Sequence, residues 1–397
     1  MSFYMYDMVL LNFTMLHGNI SMDIRKNEAG YFMNIKQGDM LPQFKRFQQE
    51  YEEKALEVLR SGWYILGKEV KAFEEEFAAY LGADFCAGLA SGLDALYLSF
   101  RVLHIGKGDE VIVPANTYIA SVMGITMAGA TPVFVEPDEF YNIAPERIEE
   151  KITEKTKAVL SVNLYGQACR LDKISAVCKK HGLYLVEDCA QSHGAMFDGE
   201  YTNHYCDISC FSFYPSKNLG CFGDGGAIVT DNEEIHRLFK IYRNYGSEVR
   251  YHNMVVGANS RLDEMQAGLL RVKLKHLDEL NNERKEIAER YLAGINRKDL
   301  ILPSVQEGAG MVWHQFVIRT DKREELMKYL ADKGIGTLIH YPIPPHLSQA
   351  YEYLGHKKGD FPITEKYANE VLSLPMYNGL TVEEQEYIIN TLNSFEG

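Results

Sequence analysis

Apolar side chains recur at helical spacing over residues 41–60, at Phe44, Phe47, Tyr51, Ala55, Val58 and Leu59, and Ser61-Gly62 closes the run. The same period predicts a second helix over 70–81. The pattern then changes to short β-rich runs at 110–113, 132–135, 158–162 and 184–186, separated by helix-length segments at 121–128, 145–151 and 171–181. Such alternation is the mark of a parallel sheet wrapped by helices. Two further strands are expected at 208–211 and 227–230, then helices at 233–245 and 262–292, the second read as a single spine. Beyond Pro303, strand-like 312–319, helix-like 324–333, strand-like 337–339 and a terminal helix at 382–395 suggest a smaller α/β cap. The expected organisation is an N-terminal extension over 1–34, a large domain over 35–300 and a small C-terminal domain over 301–397.

Composition narrows this picture. With 46% hydrophobic and 24% charged residues in 397, the chain has the balance of a globular protein with a sizeable core. Fifty-five acidic against 41 basic side chains leave a formal charge of −14, which disfavours binding to a nucleic-acid backbone. No apolar run approaches the roughly 18 residues a membrane-spanning helix needs. Seven cysteines include no CxxC pair and are odd in number, so a reducing cytoplasm is expected and a disulfide framework is not. Cys206 and Cys210 lack a second ligand pair, so no metal site is expected. Residues 1–16 are rich in Met, Leu and aromatics but have neither the basic start nor the small-residue cleavage site of a secretory signal.

Ligands of an open parallel sheet collect beyond the carboxyl ends of its strands. The run Tyr184-Leu185-Val186 ends there in Glu187 and Asp188. A carboxylate on a buried strand end needs a cation or donors. A protonated pyridine nitrogen is one such cation, and a carboxylate beside it keeps the ring electron-poor enough to absorb carbanion charge. Taken alone, Asp188 reads equally well as a cap of the following segment. A later strand runs into Phe211-Ser212-Phe213-Tyr214-Pro215-Ser216-Lys217, followed by the glycine-rich 220–226. A lysine in a partly desolvated pocket near another cation has a depressed pKa, so it can form an imine with an aldehyde at neutral pH and then shuttle a proton. An earlier turn, Ser91-Gly92-Leu93, opens a helix whose unpaired N–H groups could seat a phosphate, with the Ser91 and Ser212 hydroxyls completing it. Tyr118, at another strand exit, is placed to stack on the ring or simply to pack.

Together, Ser91-Gly92-Leu93-Asp94-Ala95-Leu96, Val186-Glu187-Asp188-Cys189-Ala190-Gln191-Ser192-His193-Gly194, the segment from Phe211 to Gly220, and Gly257-Ala258-Asn259-Ser260-Arg261-Leu262-Asp263-Glu264-Met265-Gln266-Ala267 resemble the DegT/DnrJ/EryC1/StrS sugar aminotransferases over roughly 35–395. The resemblance implies a fold-type I, aspartate aminotransferase-like architecture, pyridoxal 5′-phosphate (PLP) as cofactor, and a homodimer with active sites at the subunit interface. It implies that Lys217 forms the Schiff base, Asp188 meets the pyridine nitrogen, Gln191 lies on the ring-hydroxyl side, and Ser212 with Ser91, Gly92 and Leu93 holds the phosphate. Asn259 would reach the phosphate of the neighbouring subunit's cofactor, and His340 and Tyr341 would enter a sugar pocket across the interface. Asn163, Tyr165, His193 and Tyr214 are further candidates for sugar or nucleotide contact.

Ala190-Gln191-Ser192-His193-Gly194-Ala195, Asn244-Tyr245-Gly246 and the Asn259 segment look most like the branch acting on dTDP-linked 3-keto-6-deoxyhexoses with L-glutamate as amino donor. Two alternatives stay open at this point: an aminotransferase for a 4-keto sugar or cyclic ketose, and a non-catalytic regulator of the same fold. A sugar 3-dehydratase of this fold carries histidine in place of the Schiff-base lysine, and Lys217 argues against it.

Overall fold

The computed structural model describes residues 33–397 and, ahead of them, the backbone pairing of Lys26–Asn27 with Gly30–Tyr31. The reading of 1–16 as no targeting signal, like the role of the 1–34 extension, bears on residues outside those described. Ile35–Gly397 form one compact unit.

The expected helix over 41–60 is two helices, α1 (Leu41–Arg46) and α2 (Gln48–Ser61). The break falls at Phe47, whose buried ring stacks on His276 at 4.0 Å, so a tertiary contact overrides the helical period. Gly62, at φ 68°, ends α2 in the left-handed conformation that costs glycine least. The helix α3 (Lys68–Tyr80) follows, then the strand β1 (Phe85–Leu89) and the helix α4 (Gly92–Val102). Next come β2 (Glu110–Pro114), α5 (Ile119–Met127), β3 (Thr131–Val135), β4 (Thr156–Val162), α6 (Leu171–His181) and β5 (Tyr184–Asp188). The sheet is completed by β6 (Ile208–Ser212) and β7 (Gly226–Thr230).

The seven strands lie in the order β1-β7-β6-β5-β4-β2-β3. Strands β6, β5, β4, β2 and β3 run parallel, and only β7 opposes its neighbours, pairing antiparallel with β6 and β1. The mostly parallel α/β sheet expected from the alternation is therefore present. Its strands are buried on both faces, as parallel sheets require. On one face Leu98 and Phe100 of α4 and Val122 and Ile125 of α5 pack on Ala87, Leu160 and Val186. On the other, Phe73 and Phe77 of α3 meet Phe211 and Phe213.

After β7 come α7 (Glu233–Tyr242), α8 (Glu264–Leu274) and α9 (Leu277–Gly294). The single spine expected over 262–292 is thus divided at Lys275-His276, where the His276 ring turns onto Phe47. Residues 145–151 form two 3-10 turns rather than a helix. In the C-terminal part, β8 (Phe316–Arg319), α10 (Arg323–Asp332), α11 (Pro362–Glu370), β9 (Val371–Leu374) and α12 (Val382–Asn393) build a layer around the antiparallel β8-β9 pair. The expected strand at 337–339 is reduced to a bridge between Leu338 and Ser373.

Candidate active site

Asp188 ends β5 between Val162 of β4 and Cys210 of β6, and it is 6% exposed. Side chains alternate along a strand, so Glu187 and Asp188 point to opposite faces. Glu187 accepts from Asn163 Nδ2 at 2.6 Å and from Ser209 Oγ at 2.8 Å. Asp188 instead accepts from Ser121 Oγ at 2.8 Å and from the Ala190 N–H at 3.0 Å. Ser121 in turn shares a 2.8 Å hydrogen bond with Thr117. Burial raises the Asp188 pKa, opposed by Ser121, by the Ala190 N–H and by the charge of Lys217.

Lys217 sits on the loop leaving β6. The Lys217 N–H donates to Tyr214 O at 2.9 Å and the Cys221 N–H to Phe213 O at 2.9 Å, folding the loop back on its own start. Gly220 is required there, because a Cβ would lie 2.3 Å from Pro215 O. Burial of the amine pushes the Lys217 pKa down to about 8, with Asp188 pulling the other way. Both residues line one cavity of about 590 Å³.

The Ser91 hydroxyl caps α4, accepting from the Asp94 N–H at 3.1 Å. A Cβ on Gly92 would lie 2.5 Å from Ser212 Cβ, so the helix start and the end of β6 touch only because Gly92 has no side chain. Opposite them the Tyr118 and Tyr341 rings are 5.0 Å apart. Gln191 braces this wall: its Oε1 accepts from the Tyr165 N–H at 2.6 Å and its Nε2 donates to Tyr341 Oη at 3.1 Å.

The cavity lining includes Ser91, Gly92, Leu93, Tyr118, Ser212 and Tyr214. It also includes Asn163, Asp188, Gln191, Lys217, His340 and Tyr341. His340 and Tyr341 line the cavity of their own chain. The reason is local: Gln191 holds Tyr341, the Tyr165 hydroxyl donates to the His340 carbonyl, and His340 Nδ1 shares a 2.7 Å hydrogen bond with Ser373 Oγ. Burial pushes the His340 pKa down to about 4.

Tyr165, His193 and Asn259 lie outside the lining. His193 is fully buried against Phe211 and Phe213, and neither ring nitrogen has a partner among the described residues. Burial pushes its pKa down to about 3. Tyr165 acts through its backbone N–H on Gln191 and through its hydroxyl on His340. Asn259 is on the exposed surface, bridged to Asn244. The Asn163 amide reaches the lining but is committed to Glu187, to Ser192 Oγ at 3.2 Å and to the Cys169 N–H at 2.9 Å. Among the described residues no cluster of His, Cys, Asp or Glu is arranged to hold a metal, and all seven cysteines are free thiols.

Sequence reasoning missed Thr117, Ser121 and His314, which also line the cavity. Thr117 and Ser121 carried a faint signal, two hydroxyls four residues apart just after β2, the i, i+4 spacing of a helix face. His314 carried none.

The sequence model of the DegT/DnrJ/EryC1/StrS aminotransferase family matches residues 45–393. The chain is 49% identical over 365 residues to a dTDP-3-amino-3,6-dideoxy-alpha-D-galactopyranose transaminase of Aneurinibacillus thermoaerophilus, covering 92% of this chain and 99% of that one. The crystal structure of S. venezuelae DesV in complex with a ketimine intermediate superimposes with a TM-score of 0.89 at 43% identity, over 91% of this chain and 98% of the other. The PLP form of the putative sugar aminotransferase Spr1654 from Streptococcus pneumoniae gives a TM-score of 0.84 at 28% identity, over 91% and 98% of the two chains. With this coverage and the shared fold, the chain belongs to the DegT/DnrJ/EryC1/StrS aminotransferase family.

Proposed function

We propose that this enzyme uses PLP to transfer an amino group from L-glutamate to the C3 keto group of a dTDP-linked 3-keto-6-deoxyhexose. The observation that carries the reading is a buried lysine and a buried carboxylate on one cavity, in a chain 49% identical to a dTDP-3-amino-sugar transaminase. The residues fit PLP on their own chemistry. Asp188 is a buried carboxylate whose hydrogen-bond donors are neutral, so it suits a pyridinium nitrogen. Lys217 is an amine with a depressed pKa, suited to a carbonyl carbon. The turn at 91–93 opens an 11-residue helix, where free N–H groups suit a phosphate, with Ser212 beside it. Gln191 would lie on the ring-hydroxyl side and Tyr118 against the ring face.

When bound, PLP supplies an aldehyde that accepts the amino group and a ring that spreads carbanion charge. Asp188 would hold the ring nitrogen protonated. Lys217, as a free amine, would take and return the proton that moves from one carbon to another in transamination. Tyr118, Tyr341 and Gln191 form one wall of the cavity.

Exposed apolar side chains at Trp63, Tyr64, Tyr251, Met254 and Val256 support a homodimer, in which Asn259 reaches the partner's phosphate site. The seven free thiols support a cytoplasmic setting. A division near residue 300 would let the C-terminal part deliver His314, His340 and Tyr341 to the cavity. The test is to supply purified holoenzyme with glutamate and dTDP-linked 3-keto or 4-keto sugars and to weigh the products. Amination of the 3-keto sugar is expected; amination of the 4-keto sugar alone, or of neither, overturns the reading.

A further inference from the structure

Asn218, next in the chain to Lys217, is 2% exposed. Its Nδ2 donates to Asn281 Oδ1 at 2.8 Å and to the Val312 carbonyl at 2.9 Å. A carbonyl only accepts, so this pair fixes which end of the Asn218 amide is nitrogen. The other end, Oδ1, lies 3.0 Å from His314 Nδ1. An amide oxygen cannot donate, so Nδ1 must carry the hydrogen, and in a neutral imidazole the lone pair then sits on Nε2. His314 is 3% exposed and lines the cavity that holds Lys217 and Asp188, and no hydrogen bond among the described residues engages Nε2.

The position is held from behind. Arg284 of α9 donates through Nη1 to the carbonyls of Trp313 at 3.4 Å and His314 at 3.2 Å. One turn earlier on the same helix, Asn281 holds Asn218 and donates to the His193 carbonyl at 2.9 Å. Burial keeps the His314 pKa well below its ordinary value, and the charged or titratable neighbours Lys217, Arg284, His340 and His193 act in the same direction. The ring therefore stays neutral through the physiological range, with one fixed, unpartnered acceptor on a residue that lines the cavity.

We propose that His314 is a specificity-determining residue whose Nε2 accepts a hydrogen bond from a ring hydroxyl of the bound ketose. The inference rests on the function proposed above. A fixed acceptor disfavours the phosphate oxygens, the glutamate carboxylates and the keto oxygen, which are acceptors themselves, and the glutamate amino group is committed to the reacting carbonyl carbon. A sugar hydroxyl supplies the missing hydrogen. A substrate lacking that hydroxyl would lose the bond and leave the nitrogen to water in the cavity.

Two measurements test this. In protein labelled with ¹⁵N-histidine, with and without PLP, the His314 Nε2 resonance should be that of an unprotonated nitrogen and stay constant between pH 6 and 8. A proton on Nε2, or titration near pH 6.5, overturns the inference without any variant having to fold. In kinetics with holoenzyme, His314→Phe should raise KM for the dTDP-linked 3-keto sugar about tenfold, the loss of one hydrogen bond. The half-reaction with glutamate alone should stay within about twofold, and His314→Gln, which keeps an acceptor, should restore most of the affinity. An unchanged sugar KM, or a loss falling on glutamate instead, sinks the proposal. If wild-type enzyme aminates no ketose, the proposed function fails instead, while the resonance still reports the tautomer.

Discussion

Ser121 donates its hydroxyl hydrogen to Asp188 Oδ2 at 2.8 Å, tying the first turn of α5 to the end of β5. The bond does two things. It satisfies one oxygen of a buried carboxylate whose other oxygen accepts from the Ala190 N–H, and it fixes the carboxylate's orientation at the end of β5. A hydrogen bond to a charged group is worth about 1.5–3 kcal/mol. Ser121→Ala should therefore weaken PLP retention by roughly 10–100-fold, read by dialysis against free cofactor. Asp188→Asn should be worse, because it also removes the charge that keeps the ring nitrogen protonated. If Ser121→Ala retains PLP as tightly as wild type, Asp188 is not held in the way described.

Lys217→Ala should still bind PLP but lose turnover, with proton transfer alone accounting for about 10²–10⁴-fold. An added small amine should restore part of the rate, since the variant leaves space where the side chain was. Turnover within tenfold of wild type would show that another base does the work.

The activity of the wild type should fall as pH drops through about 8, where the Lys217 amine takes up a proton and stops acting as a base. Asp188 is the group that raises this pKa against the effect of burial. Removing its charge in Asp188→Asn should move the acid limb to lower pH even as the maximal rate falls. A limb that moves upward, measured on the single-turnover rate, would contradict the assigned coupling.

Much of this was legible in sequence because the period-2 and period-3.6 signals of the inner sheet agree with its burial. The strands β2, β3, β4 and β5 and the helix α6 fall within a few residues of expectation. The strand β1 was not, because Phe85-Cys86-Ala87-Gly88-Leu89 is short, holds small residues and has an interior glycine. Where the reading ran two helices into one, at Phe47 and at His276, the two missed breaks contact each other: the rings stack across the molecule, a relationship no local window contains. The site divided in the same way. Asp188 and Lys217 were readable because chemistry at strand ends is sequence-local, whereas His314 depends on Asn218, 96 residues away.

Glu264 shows how a motif can signal support rather than chemistry. It sits at the start of α8, 2% exposed, and its carboxylate accepts from the N–H groups of Gly67 at 2.7 Å, Glu69 at 2.9 Å and Val70 at 2.9 Å. Those are orphan donors of the first turn of α3, which has no cap of its own. Glu264→Ala should cost roughly 3 kcal/mol by leaving buried N–H groups unpaired, measured by urea unfolding of the holoenzyme. Glu264→Gln, which keeps an acceptor but not the charge, should cost about half as much. Equal, negligible losses in both would mean that solvent satisfies the turn.

Lys273 gives a pH dependence of stability whose sign is fixed by its surroundings. Its ammonium is 3% exposed beneath the Lys217 loop, 3.4 Å from the Lys217 carbonyl and 3.5 Å from that of Gly220, and burial pushes its pKa from 10.5 down to about 7. Between these two values the unfolded chain binds a proton that the folded chain does not, so this residue's contribution to stability rises with pH across that window. Below pH 7 the full cost of burying the charge is present; above 10.5 it is gone. Lys273→Met removes the titration and leaves two carbonyls less well satisfied at every pH. The stability of the variant relative to wild type should therefore be most favourable near pH 6 and decline steadily toward pH 10, whatever its absolute value. Urea midpoints of the two proteins, compared at pH 6, 8 and 10 in the apo form, give the slope directly. A difference that is flat with pH, or that grows as pH rises, would mean that Lys273 is solvated or paired in the folded protein.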